Sequence, residues 1–264
     1  MVGDLTLVTD VPEVLGIPAD ALAGWRPRGR SYRSTTRLQY TGPLFARLDT
    51  PIPERVRAFL GGDRPTAHVA PTSCRPEFVR LLVAAVREAG LRAVVAGAPS
   101  LADLEGDDVV VADLLPSHTV MPQVDLAVIT GGQGSGQTAM ATGTPFVGLP
   151  LQPEQEFNVS LAVRHGMAVA LGPRGATVRS VAGAVRSLTA RPGHRECAQQ
   201  VQQHYAGVDG AALAARALQA HLASHARPTS GDPSGPQLAA PPPAAPRPGQ
   251  APSPVNANLG PERR

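Results

Sequence analysis

The chain has 264 residues, enough for one or two domains with a sizeable core, and only 3% of them are aromatic, so that core must be aliphatic. The formal net charge is +3, and every basic residue is an arginine, scattered rather than clustered and without an accompanying set of aromatic side chains. These features exclude a nucleic-acid-binding stripe.

Two cysteines, Cys74 and Cys197, lie far apart and lack zinc-ligand spacing. They read as buried or idle thiols of a reducing compartment. Asp4 and Asp10 interrupt the only early apolar run, so no signal peptide is expected and the chain reads as soluble and cytoplasmic.

In chain order, Asp4 to Val8 reads as a strand. Val11 to Tyr40 reads as irregular, broken by Pro12, Pro18 and Pro27. Its Arg26, Arg28, Arg30 and Arg33 fit a solvated linker. Arg55 to Leu60 suits a short helix and Thr66 to Ala70 a strand. The spacing from Pro76 to Ala89 predicts a helix burying Phe78, Leu81, Leu82, Ala85 and Val86. Ser73, just before it, suits an N-cap, which is also where an anion binds. Ala93 to Ala96 and Val109 to Val111 read as strands. Glu105, Asp107 and Asp108 read as loop carboxylates, since no His or further carboxylate supports metal ligation.

The chain is organised around Asp125 to Asn158. Leu126 to Ile129 is an apolar run too short for a helix and suited to a buried strand. A Gly-rich elbow follows, from Gly131 to Gly136, then helix formers from Gln137 to Thr142. Gly143 and Pro145 stop that helix. Phe146 to Leu149 reads as the next buried strand, and Glu154-Gln155 opens the following helix. This is one turn of a parallel α/β sheet. No charged residue lies between Asp125 and Glu154. Gly, Pro, Gln and Thr punctuate the stretch too often for a membrane span. It fits instead a polar ligand held by neutral donors: close-approaching glycine backbone, the N–H groups of a helix N-terminus and the Ser135 hydroxyl. The loop is not a P-loop, because no Lys follows the glycines. It is also a poor dinucleotide fingerprint, because the spacing Gly132-x-Gly134-x-Gly136 is wrong.

After Asn158 the helix runs to His165, with Gly166 as its cap. Ala168 to Leu171 reads as a strand, and Thr177 to Leu188, Glu196 to Tyr205 and Gly210 to Ser224 as helices. From Arg227 onward Pro, Gly, Ser, Ala and Gln dominate, the composition of a disordered tail. The fold class expected is α/β: a parallel Rossmann-like sheet flanked by helices, with that tail appended.

The central stretch resembles the donor-binding motif of GT-B glycosyltransferases of the UDP-glycosyltransferase and macrolide-glycosyltransferase type (family 1). That motif reads roughly His-Gly-Gly-x-Gly-Thr, a helix, Gly-x-Pro, a strand, then Pro-x-x-x-Asp-Gln-x-x-Asn. Gly131, Gly132, Gly134, Gly143, Pro145, Pro150, Gln155 and Asn158 fall in place. Thr130 stands where the family has His, Ser135 for Thr, and Glu154 for Asp. Tyr40-Thr41-Gly42-Pro43 resembles the family's Tyr-Val-Gly-Pro step between acceptor and donor domains. Leu114-Leu115-Pro116-Ser117-His118 resembles its aromatic-x-Pro-Gln/His step.

The resemblance implies a remnant of an acceptor domain and linker over residues 1–43, a donor domain over 44–225 and the tail over 226–264. It places Ser73, Thr130, Gly131, Gly132, Gly134 and Ser135 against a diphosphate. Leu114 and Leu115 fall at the nucleobase, and Glu154, Gln155 and Asn158 on the sugar side. The implied reaction is metal-independent, inverting transfer of a hexose from a UDP- or dTDP-sugar to an acceptor hydroxyl, with no cofactor beyond the sugar nucleotide. The family's catalytic base is a His of the acceptor domain, and His68, His118 and His165 match no such position, so no catalytic residue is assigned. Three readings stay open: an inactive truncated remnant, a donor subunit completed by a separate acceptor-binding subunit, or a helper protein that kept the fold. Two others are a fragment of a GT-B-fold sugar-nucleotide epimerase and a flavodoxin-like binding domain.

Overall fold

A computed structural model describes residues 3–26, 35–45, 48–71, 74–97 and 99–225. Ser73, the arginines at 28, 30 and 33 and the expected tail lie outside these. Met1–His225 forms one compact unit.

Six parallel strands make the main sheet: β3 (Thr66–Ala70), β4 (Arg92–Ala96), β5 (Val109–Ala112), β6 (Leu126–Ile129), β7 (Phe146–Gly148) and β8 (Ala168–Ala170), in the order β5-β4-β3-β6-β7-β8. A shorter parallel pair, β1 (Leu5–Val8) and β2 (Arg37–Tyr40), stands apart. The helices are α1 (Pro12–Leu15), α2 (Ala19–Gly24), α3 (Glu54–Leu60), α4 (Pro76–Glu88), α5 (Ser117–Val120), α6 (Gln133–Ala141), α7 (Pro153–Arg164), α8 (Val178–Ala190), α9 (Pro192–Tyr205) and α10 (Gly210–His225). None of them is long and apolar enough to cross a membrane.

The strands read as unbroken apolar runs because both faces of the sheet are covered: β5 (VVVA) and β6 (LAVI) are buried at every position. Alternation along each strand then assigns side chains to faces. Val69, Val95 and Val128 pack with Leu82 and Val86 of α4 and Val181 and Val185 of α8. Ile129 faces the other way, onto Met140 of α6, Val159 of α7 and Val201 of α9. The chain enters the sheet at β3, runs out to β5, and returns to β6 on the other side of β3. The order therefore reverses between β3 and β6, a switch point at whose strand C-termini α/β sheets bind ligands.

Three expectations change. Residues 11–40 are not simply irregular: they hold α1 and α2, and Arg37–Tyr40 pairs in parallel with Leu5–Val8. That strand is half-exposed and its partner is about thirty residues away, so nothing local marks it. In α4 the buried set is Val79, Leu82, Val83, Ala85 and Val86, with Phe78 and Leu81 only partly covered. The face is set by α8 and the sheet together rather than by the widest run of large side chains. Third, α6 starts at Gln133, inside the expected elbow. Two of the carboxylates before β5 are tied to arginines: Glu105 bonds Arg55, and Asp108 lies 2.7 Å from Arg64.

Thr41-Gly42-Pro43 is wedged against the start of α10. A Cβ on Gly210 would lie 2.0 Å from the Pro43 carbonyl oxygen. Helix α8 opens with a reciprocal cap: the Ser180 N–H donates to Thr177 Oγ1 at 3.1 Å, and the Thr177 N–H to Ser180 Oγ at 2.9 Å. Thr177→Ala is expected to lower stability by about 1 kcal/mol, read from urea unfolding with an unchanged m-value.

Candidate functional site

A cleft of about 700 Å³ opens at the C-terminal ends of β3 to β6. Pro71 and Cys74 line it after β3, Gly97 after β4, Leu114 and Leu115 after β5, and Gly132 to Ser135 after β6. One wall is thus the first turn of α6, whose leading N–H groups have no carbonyl within the helix to bond.

Gly131 makes that wall possible. Its φ is +80°, and a Cβ there would sit 2.3 Å from Val159 Cγ2. The chain leaves β6, turns through this left-handed residue and starts the helix at once. Gly134 is the converse case: it is exposed and a Cβ on it would meet nothing within 4 Å, so its surface faces the cleft space. Ser135, also on the cleft wall, donates its hydroxyl to the Gly132 carbonyl at 3.2 Å.

Helix α7 clamps this loop from the side. Glu154 Oε1 accepts the Gln133 N–H at 3.0 Å and the Asn158 Nδ2 hydrogen at 2.5 Å. Asn158 Nδ2 also donates to the Gly131 carbonyl at 3.1 Å. Gln155 Oε1 accepts the Leu151 N–H at 2.8 Å. Pairs four apart share one helix face, so Glu154 and Asn158 meet the loop together.

The expected residues therefore divide. Gly132, Gly134, Ser135, Leu114 and Leu115 line the cleft. Leu114 is 58% exposed and Leu115 only 3%, so Leu114 presents the apolar surface there. Glu154, Gln155 and Asn158 stand beside the loop. Gly131 lies under it. Thr130 is 1% exposed, and its Oγ1 has no hydrogen-bond partner among the described residues. Thr130 is not among the described residues that line the cleft, and Ser73 lies outside the described residues.

Sequence reasoning did not find the second anchor of α6. Gln137 Nε2 donates to the Thr9 carbonyl at 2.5 Å, and Gln133 Nε2 bonds Thr9 Oγ1. The next residue, Asp10, is buried and accepts the Tyr205 hydroxyl at 2.7 Å and the Val11 N–H at 2.8 Å. Burial raises the Asp10 carboxyl above its ordinary range, against those bonds. Burial and the neighbouring Asp10 likewise raise the Tyr205 hydroxyl. Contacts across more than a hundred residues leave no local signal. Of the histidines, His68 is fully buried in β3, facing the Val94 carbonyl at 3.3 Å and Ser117 Oγ at 3.4 Å. His165 is turned to the Val14 carbonyl at 2.9 Å. His118 lines the cleft.

Residues 88–217 match the model of the erythromycin biosynthesis protein CIII-like C-terminal domain. Over 155 residues the chain is 32% identical to 4'-demethylrebeccamycin synthase of Lentzea aerocolonigenes, covering 57% of this chain and 37% of that protein. Its fold matches the calicheamicin glycosyltransferase CalG4 with a TM-score of 0.61 at 21% identity, over 86% of this chain and 54% of the other. It also matches the glycosyltransferase VinC, solved in complex with DTDP, with a TM-score of 0.57 at 17% identity, over 81% of this chain and 72% of the other. The chain spans under half the length of the curated relatives it matches, 37% in the case above. Domain model, relatives and fold agree with the motif of residues 125–158: residues 88–217 carry the erythromycin biosynthesis protein CIII-like C-terminal domain, and the relatives and structural neighbours that share it are family 1 glycosyltransferases of GT-B fold, of macrolide and antibiotic type.

Proposed function

We propose that this chain is the sugar-nucleotide-binding half of a family 1 glycosyltransferase. It holds a UDP- or dTDP-sugar for inverting, metal-independent transfer of the hexose to an acceptor hydroxyl. The observation that carries this reading is the uncharged first turn of α6, opening into the cleft at the sheet's switch point. In this reading the amides of Gly134 and Ser135 receive the diphosphate, together with the Ser135 hydroxyl once it turns from the Gly132 carbonyl. Its negative charge grows as the glycosidic bond breaks, so preorganised N–H dipoles stabilise the transition state more than the ground state. Leu114 offers the nucleobase an apolar floor, and the VinC complex with DTDP supports a nucleoside diphosphate as the ligand class. No residue of this chain is assigned as the base, so the acceptor and its deprotonating group are supplied by a second domain or a separate acceptor-binding subunit.

Calorimetric titration of the chain with dTDP and with UDP should show saturable one-site binding, while incubation with dTDP-glucose and a panel of acceptor alcohols should give no glycoside. Failure of both nucleotides to bind overturns the reading. Transfer by the purified chain would instead show that it carries its own base.

A further inference from the structure

We infer that Glu154 is an internal competitor for the diphosphate: its carboxylate caps the helix whose N-terminal turn the ligand must use. The inference rests on the sugar-nucleotide reading above. Glu154 Oε1 takes the N–H of Gln133, the first residue of the nine-residue helix α6, and Asn158 Nδ2 holds the carboxylate there. A negative group at a helix N-terminus satisfies an orphan donor and the positive end of the dipole together. That is the service the cleft offers a phosphate. The family motif has Asp at this place, a side chain shorter by one methylene, about 1.5 Å. The longer side chain of Glu154 is what carries the carboxylate to the Gln133 N–H. Glu154 is exposed on the first turn of α7, so its side chain can rotate into solvent once its hydrogen bonds with Gln133 and Asn158 break.

The diphosphate on the Gly134 and Ser135 amides and the carboxylate on the adjoining Gln133 N–H share one helix turn, and two negative groups that close repel each other. Binding therefore draws on the fraction of molecules in which Glu154 has swung out, and the apparent affinity falls by that fraction. A released carboxylate next to the donor sugar gains new partners in its hydroxyls. A diphosphate without the sugar offers none. Glu154 thus weakens the hold on the spent nucleotide more than on the loaded donor, which favours product release.

The test uses the full chain, with dTDP, pyrophosphate and dTDP-glucose titrated by calorimetry. Glu154→Asp cannot reach the Gln133 N–H, and Glu154→Gln keeps the shape without the charge. Each is expected to bind dTDP and pyrophosphate about fivefold tighter than the natural chain, with a smaller gain or a loss for dTDP-glucose. A gain in affinity cannot come from damage to the loop, which only weakens binding, and two independent variants guard against one failing to fold. If both fold and dTDP binding is unchanged or weaker, the inference is overturned while the sugar-nucleotide reading stands. If neither the natural chain nor the variants bind any nucleotide, that reading falls and the inference with it.

Discussion

Gly131→Ala is expected to destabilise the protein by about 3 kcal/mol and to abolish measurable nucleotide binding. Two costs combine. A φ of +80° is a left-handed conformation that costs an L-residue about 1–2 kcal/mol. The new methyl would also lie 2.3 Å from Val159 Cγ2, and overpacking a filled interior costs about 1–3 kcal/mol. Val159 is itself buried on α7, the helix that presents Glu154 and Asn158, so it moves only by shifting the clamp. Gly134→Ala is the control. Its Cβ meets no neighbour, and alanine favours a helix over glycine by up to about 1 kcal/mol. The melting temperature should hold or rise, while the methyl fills space at the cleft wall and weakens dTDP binding. A Gly131→Ala protein that melts like the natural chain would show that the turn is not under this constraint.

The second large effect is on acid stability. His68 is fully buried at the centre of β3, and burial lowers its pKa from 6.5 to about 4, only partly opposed by its bond to the Val94 carbonyl. The folded pKa is depressed, so below pH 6.5 the unfolded chain binds a proton that the folded chain refuses. Stability is then lost as pH falls from 6.5 towards 4 and is independent of this group above 6.5. At about 1.4 kcal/mol per pH unit, the whole interval is worth about 3 kcal/mol. Asp10 acts with the opposite sign, since its raised carboxyl pKa favours the folded state as pH falls. Comparison with His68→Gln cancels that contribution. The natural chain should lose about 3 kcal/mol more than the variant between pH 7 and pH 4 in urea unfolding. Parallel curves for the two proteins would show that the folded state accommodates a charged His68.

The strands of the main sheet are legible for a definite reason. Leu126 to Ile129 and Phe146 to Leu149 are continuous apolar runs bounded by Gly, Pro and Asp, the pattern that a parallel strand buried on both faces imposes. Thr66–Ala70 is legible as a strand as well, and the C-terminal helices are legible to within a few residues from their helical spacing. The β1–β2 pair is not. A half-exposed four-residue strand carries no such run, and its partner is distant in sequence. The start of α6 was also misplaced. Gly134 and Gly136 in its first four residues argue against a helix locally, and it forms because Glu154, Asn158 and Thr9 hold that turn from elsewhere in the chain.

By itself the sequence determined the α/β class, the Gly-loop motif and its family, because periodicity, glycine placement and motif spacing are local properties of the chain. The tertiary structure alone decided which of those motif residues meet the cleft. Gly132, Gly134 and Ser135 reach its wall, Thr130 is buried, and Glu154 turns back onto the helix. Those outcomes depend on how α6, α7 and β6 approach one another. That approach is set by Val159 filling the space left by Gly131 and Gly148, a fit between residues that no window along the chain contains.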